Sequence, residues 1–398
     1  MKNHNTDILF ILILGLLSML TPLAIDMYLP SFGAIASDLH VSKERIQTTL
    51  ALFTMGFAVG QLLWGPLSDS YGRKPTIIVG VIVAAVIALW LTQVGELYHF
   101  YILRFLQGFF GSAPAVVAGA LLRDLFNKEA FSKMMSMVML VTMVAPLVAP
   151  ILGGYIADWF HWQAIFYLLT VLGLLAALLV WLRIPESLPK ERRIPLDIIG
   201  VLRNYRQVAT NKRVIGYIFT NAFSYSGMFC FLTSGSLVYT GVYGVAPQHF
   251  GYFFILNIGV MMVATFLSGR FVGRLGTERI LRIGLGIQLT AGLWLGLCAI
   301  FHWGLWPVAI GVAFYVGMIS VVSSNANAAV LELFPRTAGT ANSLIGMFRF
   351  ATGAVIGAIL ALFSAATDQP MLFAITLCIL ISVGTYKLLV TSDKFLPA

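Results

Sequence analysis

Charge is what this 398-residue chain has least of: Asp, Glu, Lys and Arg together make up 10% of it, and only 16 residues are acidic. A soluble domain of that length needs far more polar surface to face water. Cysteine is nearly absent as well. Cys230, Cys298 and Cys378 stand far apart with no CxxC pair, which excludes a disulfide framework and a zinc site. The six histidines are isolated, so no metal cluster is expected. No phosphate-binding P-loop occurs, and ATP-driven transport is disfavoured with it. Asp-rich metal loops and interfacial His/Asp pairs are missing, so a polytopic prenyl or acyl transferase is a distant alternative. No ring of repeated filter residues marks a channel. The chain reads as a non-enzymatic protein that needs no cofactor or metal.

What fills the space is hydrophobic side chains, 59% of the total, with a mean hydropathy of +0.90. A spanning helix needs about 20 apolar residues. Twelve runs meet that length: 8–36, 46–64, 76–93, 98–122, 134–156, 164–182, 214–239, 250–267, 280–301, 303–330, 338–363 and 371–390. They are continuous rather than alternating, which excludes a β-barrel. The first run is long, holds Asp26 and Pro30, and ends without a small-x-small cleavage site. It is therefore read as a helix and not as a signal peptide. The expectation is an all-α membrane protein of twelve transmembrane helices.

The basic residues then set the orientation. The net charge is +9, and with twelve spans both termini share one side. All but four of the 25 Lys and Arg residues fall on that side, leaving Lys43 and Arg45 opposite and Arg104 and Arg349 within spans. Basic loops stay in the cytoplasm, so this asymmetry makes the basic side, and both termini, cytoplasmic. It also accounts for the charge without nucleic acid.

The longest hydrophilic stretch separates six spans from six. It divides the chain into residues 1–183, a connector at 184–213, and residues 214–398. Within the connector Ile198, Leu202, Tyr205 and Val208 share a helical face, the pattern of a helix lying on the membrane interface. The halves echo each other. Gly65-Pro-Leu-Ser-Asp69-Ser-Tyr-Gly72-Arg73-Lys74 follows span 2, and Gly269-Arg-Phe-Val-Gly273-Arg-Leu-Gly276-Thr-Glu278-Arg279 follows span 8. Gly65 aligns with Gly269 and Gly72 with Gly276. Duplicated bundles of this kind are a transporter's architecture, since two similar units can rock about a central site.

Four segments carry a family resemblance. The Gly65–Lys74 sequence is similar to the loop 2–3 signature of the major facilitator superfamily, and Arg104-Phe-Leu-Gln107-Gly108 in span 4 resembles its second motif. Ala145-Pro146-Leu-Val-Ala-Pro150-Ile-Leu-Gly153-Gly154 in span 5 resembles the antiporter motif of its drug exporters, with Ala145 where those exporters carry glycine. Asp26-Met-Tyr-Leu-Pro30 in span 1 resembles the motif of twelve-span drug:proton antiporters. Together with Phe348-Arg349-Phe350 it looks closest to the bicyclomycin-resistance members of the Bcr/CflA group. The resemblance implies two pseudo-symmetric six-helix bundles and a bacterial inner (cytoplasmic) membrane. It also implies proton-coupled efflux of bicyclomycin- or chloramphenicol-like molecules, driven by the proton motive force. The expected partners are small-molecule drugs or metabolites, protons and lipid, with a monomer sufficient for function. A proton-coupled importer of a metabolite is the alternative within transport.

Ionisable groups inside spans single themselves out without any family. Asp26 is the only acid well inside a span, and Arg104 and Arg349 are the only deep bases. A charge at the bilayer centre costs at least about 2.5–3.5 kcal/mol, so such groups face a cavity or a partner. Asp26 and Arg104 lie at similar depth. Read from the residues, they form either a fixed ion pair between spans 1 and 4 or a proton site whose occupancy shifts with a small rearrangement. The resemblance favours the proton site. Arg349 either meets anionic cargo, balances Asp26, or is a packing base. Tyr28, Phe32, Phe53, Tyr225 and Phe229 are candidates for an apolar cargo pocket. Gly65, Asp69, Gly72, Arg73 and Lys74 are expected to form a conformational latch, with Asp69 near the N-terminus of span 11 and Arg123 as its charge partner. Pro146, Pro150, Gly153 and Gly154 are expected to bend span 5 and let it approach a neighbour closely.

Overall fold

The computed structural model describes residues 8–126, 128–334, 338–363 and 366–391. The described residues are helical, without strands. The chain ends, on which the placement of both termini rests, lie outside them.

The first run is a broken helix: α1 (Ile8–Asp26) stops at the carboxylate, and after a 3-10 turn at Leu29–Ser31 the chain continues as α2 (Phe32–Asp38). Pro30 causes the interruption, since it has no N–H to donate and its ring clashes with the preceding turn. The rest of the first half is α3 (Lys43–Tyr71), α4 (Arg73–Leu91), α5 (Leu97–Leu125), α6 (Lys128–Trp159) and α7 (Gln163–Arg183). The connector carries α8 (Ile198–Ala209). The second half is α9 (Lys212–Leu237), α10 (Tyr252–Leu275), α11 (Thr277–Phe301), α12 (Leu305–Gly317), α13 (Ile319–Leu333), α14 (Ala338–Leu360) and α15 (Gln369–Thr385). The expected tenth span is divided at Met318 into α12 and α13.

Among the described residues, eleven helical segments are long and apolar enough by composition to cross a membrane. The twelfth, α9, is long enough but carries Thr220, Asn221, Ser224, Ser226, Thr233, Ser234 and Ser236, all buried. Protein rather than lipid surrounds those groups, which is where polar side chains are tolerated at membrane depth. Lipid-facing helices show the converse. On α7, Val171, Leu174, Leu178 and Trp181 form an exposed stripe.

The paired glycine motifs are more helical than a loop reading expects. Span 2 runs through Gly65 and Pro66 to Tyr71, so the turn falls on Gly72 alone, at φ +105°. The second copy repeats this: α10 runs through Gly269 and Gly273, and the turn falls on Gly276 at φ +78°. Both require a left-handed backbone, which glycine adopts without steric cost.

Helix α8 is capped by Asp197, whose side chain accepts from Gly200 N, and α9 by Asn211, which accepts from Val214 N. The four apolar side chains of the α8 face fare differently. Leu202 is 61% exposed and the side chain of Ile198 lies outside the described residues, whereas Tyr205 and Val208 pack inward. The Tyr205 hydroxyl donates to Leu62 O at 2.9 Å, which docks α8 on the seam between α3 and α14.

The two halves meet along α3 with α14 and α6 with α10. On the side away from the basic loops the seam is shut. Gly154 abuts Gln248, Gly251 abuts Ile151, the Tyr155 and Tyr252 hydroxyls are 2.9 Å apart, and Gln47 Nε2 lies 3.4 Å from Ser234 Oγ. On the basic side a cavity of about 760 Å³ separates the loop around Asp69 and Arg73, the ends of α5 and α6, and the connector from Leu331 and the start of α14.

Candidate functional site

The break in span 1 puts Asp26 at the last residue of α1, inside the molecule. It is 5% exposed, and its carboxylate makes no hydrogen bond or ion pair among the described residues. Desolvating an acid without a partner is costly, so such a group persists only where a ligand, a proton or a moving base meets it.

Arg104 does not pair with it. The guanidinium is fully buried and stacked between the rings of Tyr28 and Phe53, at 4.5 and 4.4 Å. Nη1 donates to Gln107 Oε1 at 2.7 Å, and both terminal nitrogens reach Ala24 O at 3.4 Å. The partner therefore lies on the backbone of the broken helix. Leu23 O still accepts from Met27 N, while the next carbonyl, Ala24 O, accepts from Arg104. A base at a helix C-terminus meets the negative end of the helix dipole. Sequence reasoning missed this cap; the signal available was the Arg-x-x-Gln spacing, which puts Gln107 one turn from Arg104. Beside the cage a hollow of about 40 Å³ is lined by Thr21, Ala24, Phe53 and Gln107, among others.

The candidate pocket aromatics separate into two groups. Tyr28, Phe32 and Phe53 are enclosed in the first bundle, where Tyr28 packs on Phe32, Phe100 and Phe166 and its hydroxyl bonds Thr49. Tyr225 and Phe229 stand at the seam. They form a cluster with Phe350 of α14, and Phe350 touches Phe57 across the bundles at 4.5 Å. Arg349 lies over the Tyr225 and Phe350 rings at 4.7 and 4.8 Å, with its Nε unpaired. Tyr225 is within electrostatic reach of both Arg349 and Asp26. Asp26, Tyr225, Phe229 and Arg349 are thus brought to one region, and Arg104 with Tyr28 forms a separate cage behind it. Phe57 and Phe350 were not singled out from sequence, because an aromatic at a seam has the same local pattern as one facing lipid.

Span 5 supports the break directly. A methyl group on Gly153 would overlap the Met27 carbonyl, so α6 presses its bare backbone against the residue after Asp26. Gly154, next along, meets Gln248 at the shut seam, and Pro146 and Pro150 lie in the same helix.

The expected latch is assembled differently. Asp69 pairs with Arg73 at 2.6 Å within its own motif, not with Arg123. Arg73 also reaches Asp124 at 3.0 Å and Ser68 Oγ at 2.6 Å, and its backbone N donates to Glu186 Oε1. The connector closes over this loop: Ile194 N donates to Asp69 O, and Ser70 Oγ donates to Ile194 O. Lys74 Nζ donates to Trp181 O. Arg123 lines the cavity, as do Asp69 and, near the start of α14, Gly339, Thr340, Asn342 and Ser343. Gly65 lies near Ser343. No hydrogen bond or ion pair joins Asp69 to the start of span 11 among the described residues. No group of three or more His, Cys, Asp and Glu able to hold a metal is found among the described residues.

Comparison with known proteins agrees with this architecture. The family described as Major Facilitator Superfamily matches residues 14–358. A Haemophilus influenzae protein named "Bicyclomycin resistance protein homolog" is 54% identical over 393 residues, 99% of each chain. The "Multidrug resistance protein MdtL" of Salmonella heidelberg is 28% identical, covering 85% of this chain and 84% of its own. A crystal structure of a D-xylose-proton symporter superposes with a TM-score of 0.76 at 14% identity, over 96% of this chain and 97% of that one, a likeness of fold.

Proposed function

The chain belongs to the major facilitator superfamily, and on that premise we propose that it is a proton-coupled exporter of small antibiotics, working by alternating access in a bacterial inner membrane with its basic loops and both termini in the cytoplasm. The observation that carries the reading is Asp26: a buried carboxylate at a helix break, without a base partner among the described residues and within electrostatic reach of Tyr225 at the seam. The relatives support the cargo class, since one is named for bicyclomycin resistance and another for multidrug resistance.

In the state described here the outer seam is shut and the cavity lies on the basic side. Cargo enters that cavity from the cytoplasm and moves toward Tyr225, Phe229 and Arg349. Asp26 gives its proton to the cytoplasmic side as cargo arrives, and the carboxylate then attracts Arg349 across the seam. Closing the basic side brings Asp69 toward the start of α14, and parting α6 from α10 opens the outer side. There cargo leaves and Asp26 is reprotonated from outside. For a neutral cargo each turn moves one positive charge inward, worth about 2.3 kcal/mol per 100 mV. That sustains roughly a fifty-fold cargo gradient at a one-to-one exchange. A single copy of the chain holds every group used.

Replacing Asp26→Asn is expected to abolish drug-driven proton release by purified protein in liposomes, with folding and membrane insertion unchanged. Wild-type proton release from the variant would remove Asp26 from the mechanism.

A further inference from the structure

The second bundle contains two buried amide networks that differ in one respect. In the first, Ser224 Oγ donates to Gln288 Oε1 at 2.7 Å, Gln288 Nε2 donates to Tyr315 O at 3.1 Å, and the Tyr315 hydroxyl returns to Ser224 O at 3.2 Å. This ring closes on itself and holds α9, α11 and α12 together, as polar side chains do between membrane helices. The second network stays open. Ser323 Oγ donates to Asn221 Oδ1 at 2.6 Å, and Asn221 Nδ2 donates to Asn327 Oδ1 at 3.1 Å. There the chain ends, because Asn327 Nδ2 makes no hydrogen bond among the described residues and its side chain is only half buried. Two N–H donors at membrane depth are left over.

Position gives the open end a use. Leu331 of α13 lines the basic-side cavity, and Asn327 and Ser323 follow one and two turns further in on the same stripe of that helix. On the facing helix Asn221 comes one turn before Tyr225, a distance of about 6 Å along the axis. The patch therefore stands between the cavity and the Tyr225–Arg349–Asp26 region, on the path described above. It holds no ionisable side chain, so it offers hydrogen bonds without a charge to neutralise. A cation gains nothing specific there, whereas a molecule with exposed carbonyl or hydroxyl oxygens meets two N–H donors that no protein group accepts among the described residues.

We propose that Asn327, held in orientation by Asn221 and Ser323, is a cargo-recognition site for molecules bearing amide carbonyl and hydroxyl oxygens. The proposal rests on the export reading and narrows its cargo. The cargo meets Asn327 first and is then passed one turn inward to Tyr225.

The test uses the full chain in liposomes with bicyclomycin, a neutral hydroxylated cyclic dipeptide, as the probe. Asn327→Leu, nearly isosteric and without donors, is expected to raise the KM for drug-driven proton release about tenfold, the worth of one or two hydrogen bonds. The maximal rate should hold. Asn327→Gln, which restores the amide, should recover part of the loss. A variant that keeps the wild-type KM overturns the inference, as does one that loses only maximal rate, which marks a packing role. If leucine at 327 disrupts folding, Ser323→Ala carries the test: it frees Asn221 and should raise KM a few-fold, and an unchanged KM is again fatal. Wild-type protein that neither binds nor moves bicyclomycin overturns the export reading together with this one. Loss at Asn327 with Asp26→Asn still inactive keeps both.

Discussion

Arg104 and Asp26 are each costly inside a membrane, and the chain solves the two costs in different ways. Arg104 is held by geometry: two rings sandwich it, and an amide and a helix-end carbonyl accept from its terminal nitrogens, leaving only Nε unpaired. Asp26 is left without a hydrogen-bond or ion-pair partner among the described residues. One group is therefore fixed and the other left free, which is what the proposed proton coupling needs. Arg104→Ala should leave Gln107 and Ala24 O unpaired at roughly 1–3 kcal/mol apiece. The expected result is a lower melting temperature in detergent as well as lost transport, read by thermal unfolding beside a transport assay. Arg104→Lys keeps the charge but loses the planar fork that spans both acceptors. It should fold and still transport poorly, and full activity in the lysine variant would reduce Arg104 to a bare charge.

Among the elements, α6 links two places that a transport cycle must move together. Its Gly153 presses on the Met27 carbonyl beside Asp26, and its Gly154 meets Gln248 at the shut seam. Because the obstacle at 153 is backbone, Gly153→Ala cannot be absorbed by a rotamer change. Protein should reach the membrane at normal levels while drug-driven proton release falls at least tenfold, and wild-type release would break the link between α6 and the Asp26 turn. Helix α8 has the comparable position on the basic side. Burial holds the Tyr205 phenol above its usual pKa despite the Ser343 hydroxyl beside it, and the charge of Asp69 adds to the rise. The phenol therefore keeps its proton as pH passes its ordinary value, and the bond to Leu62 O survives mild alkali. Tyr205→Phe removes a bond worth about 0.5–1.5 kcal/mol from the cavity-open state. A cysteine introduced at Asn342, on the cavity wall, should then label up to about tenfold more slowly. The three native cysteines are buried, so background is low. Equal labelling rates would mean that α8 rides along without stabilising either state.

At the scale of the whole molecule the prediction concerns the outer seam. If export requires α6 and α10 to part, joining them stops it. Tyr155→Cys with Tyr252→Cys, bridged by a short thiol cross-linker, should abolish transport, and reductant should restore it. Each single variant treated alike should stay active. Transport through a fully bridged protein would place the outer opening elsewhere.

Much of this was legible in the chain itself. Apolar runs of spanning length, the one-sided distribution of Lys and Arg, and two glycine turns 204 residues apart all follow from local chemistry, because lipid imposes length and hydropathy on every span separately. Asp26 stood out in the sequence by its cost inside a span. What stayed hidden were pairings between spans. A buried arginine and a buried aspartate at equal depth look like partners, yet Arg104 turned to a helix-end carbonyl and Asp26 pairs with no base among the described residues. The polar helix α9, too rich in Ser, Thr and Asn for a lipid-facing span, owes its place to the neighbours that enclose it. Side chains choose among contacts that exist only after helices pack. Composition and periodicity thus determined which segments form apolar spanning helices, and tertiary structure alone decided which buried charge is held by partners and which is not.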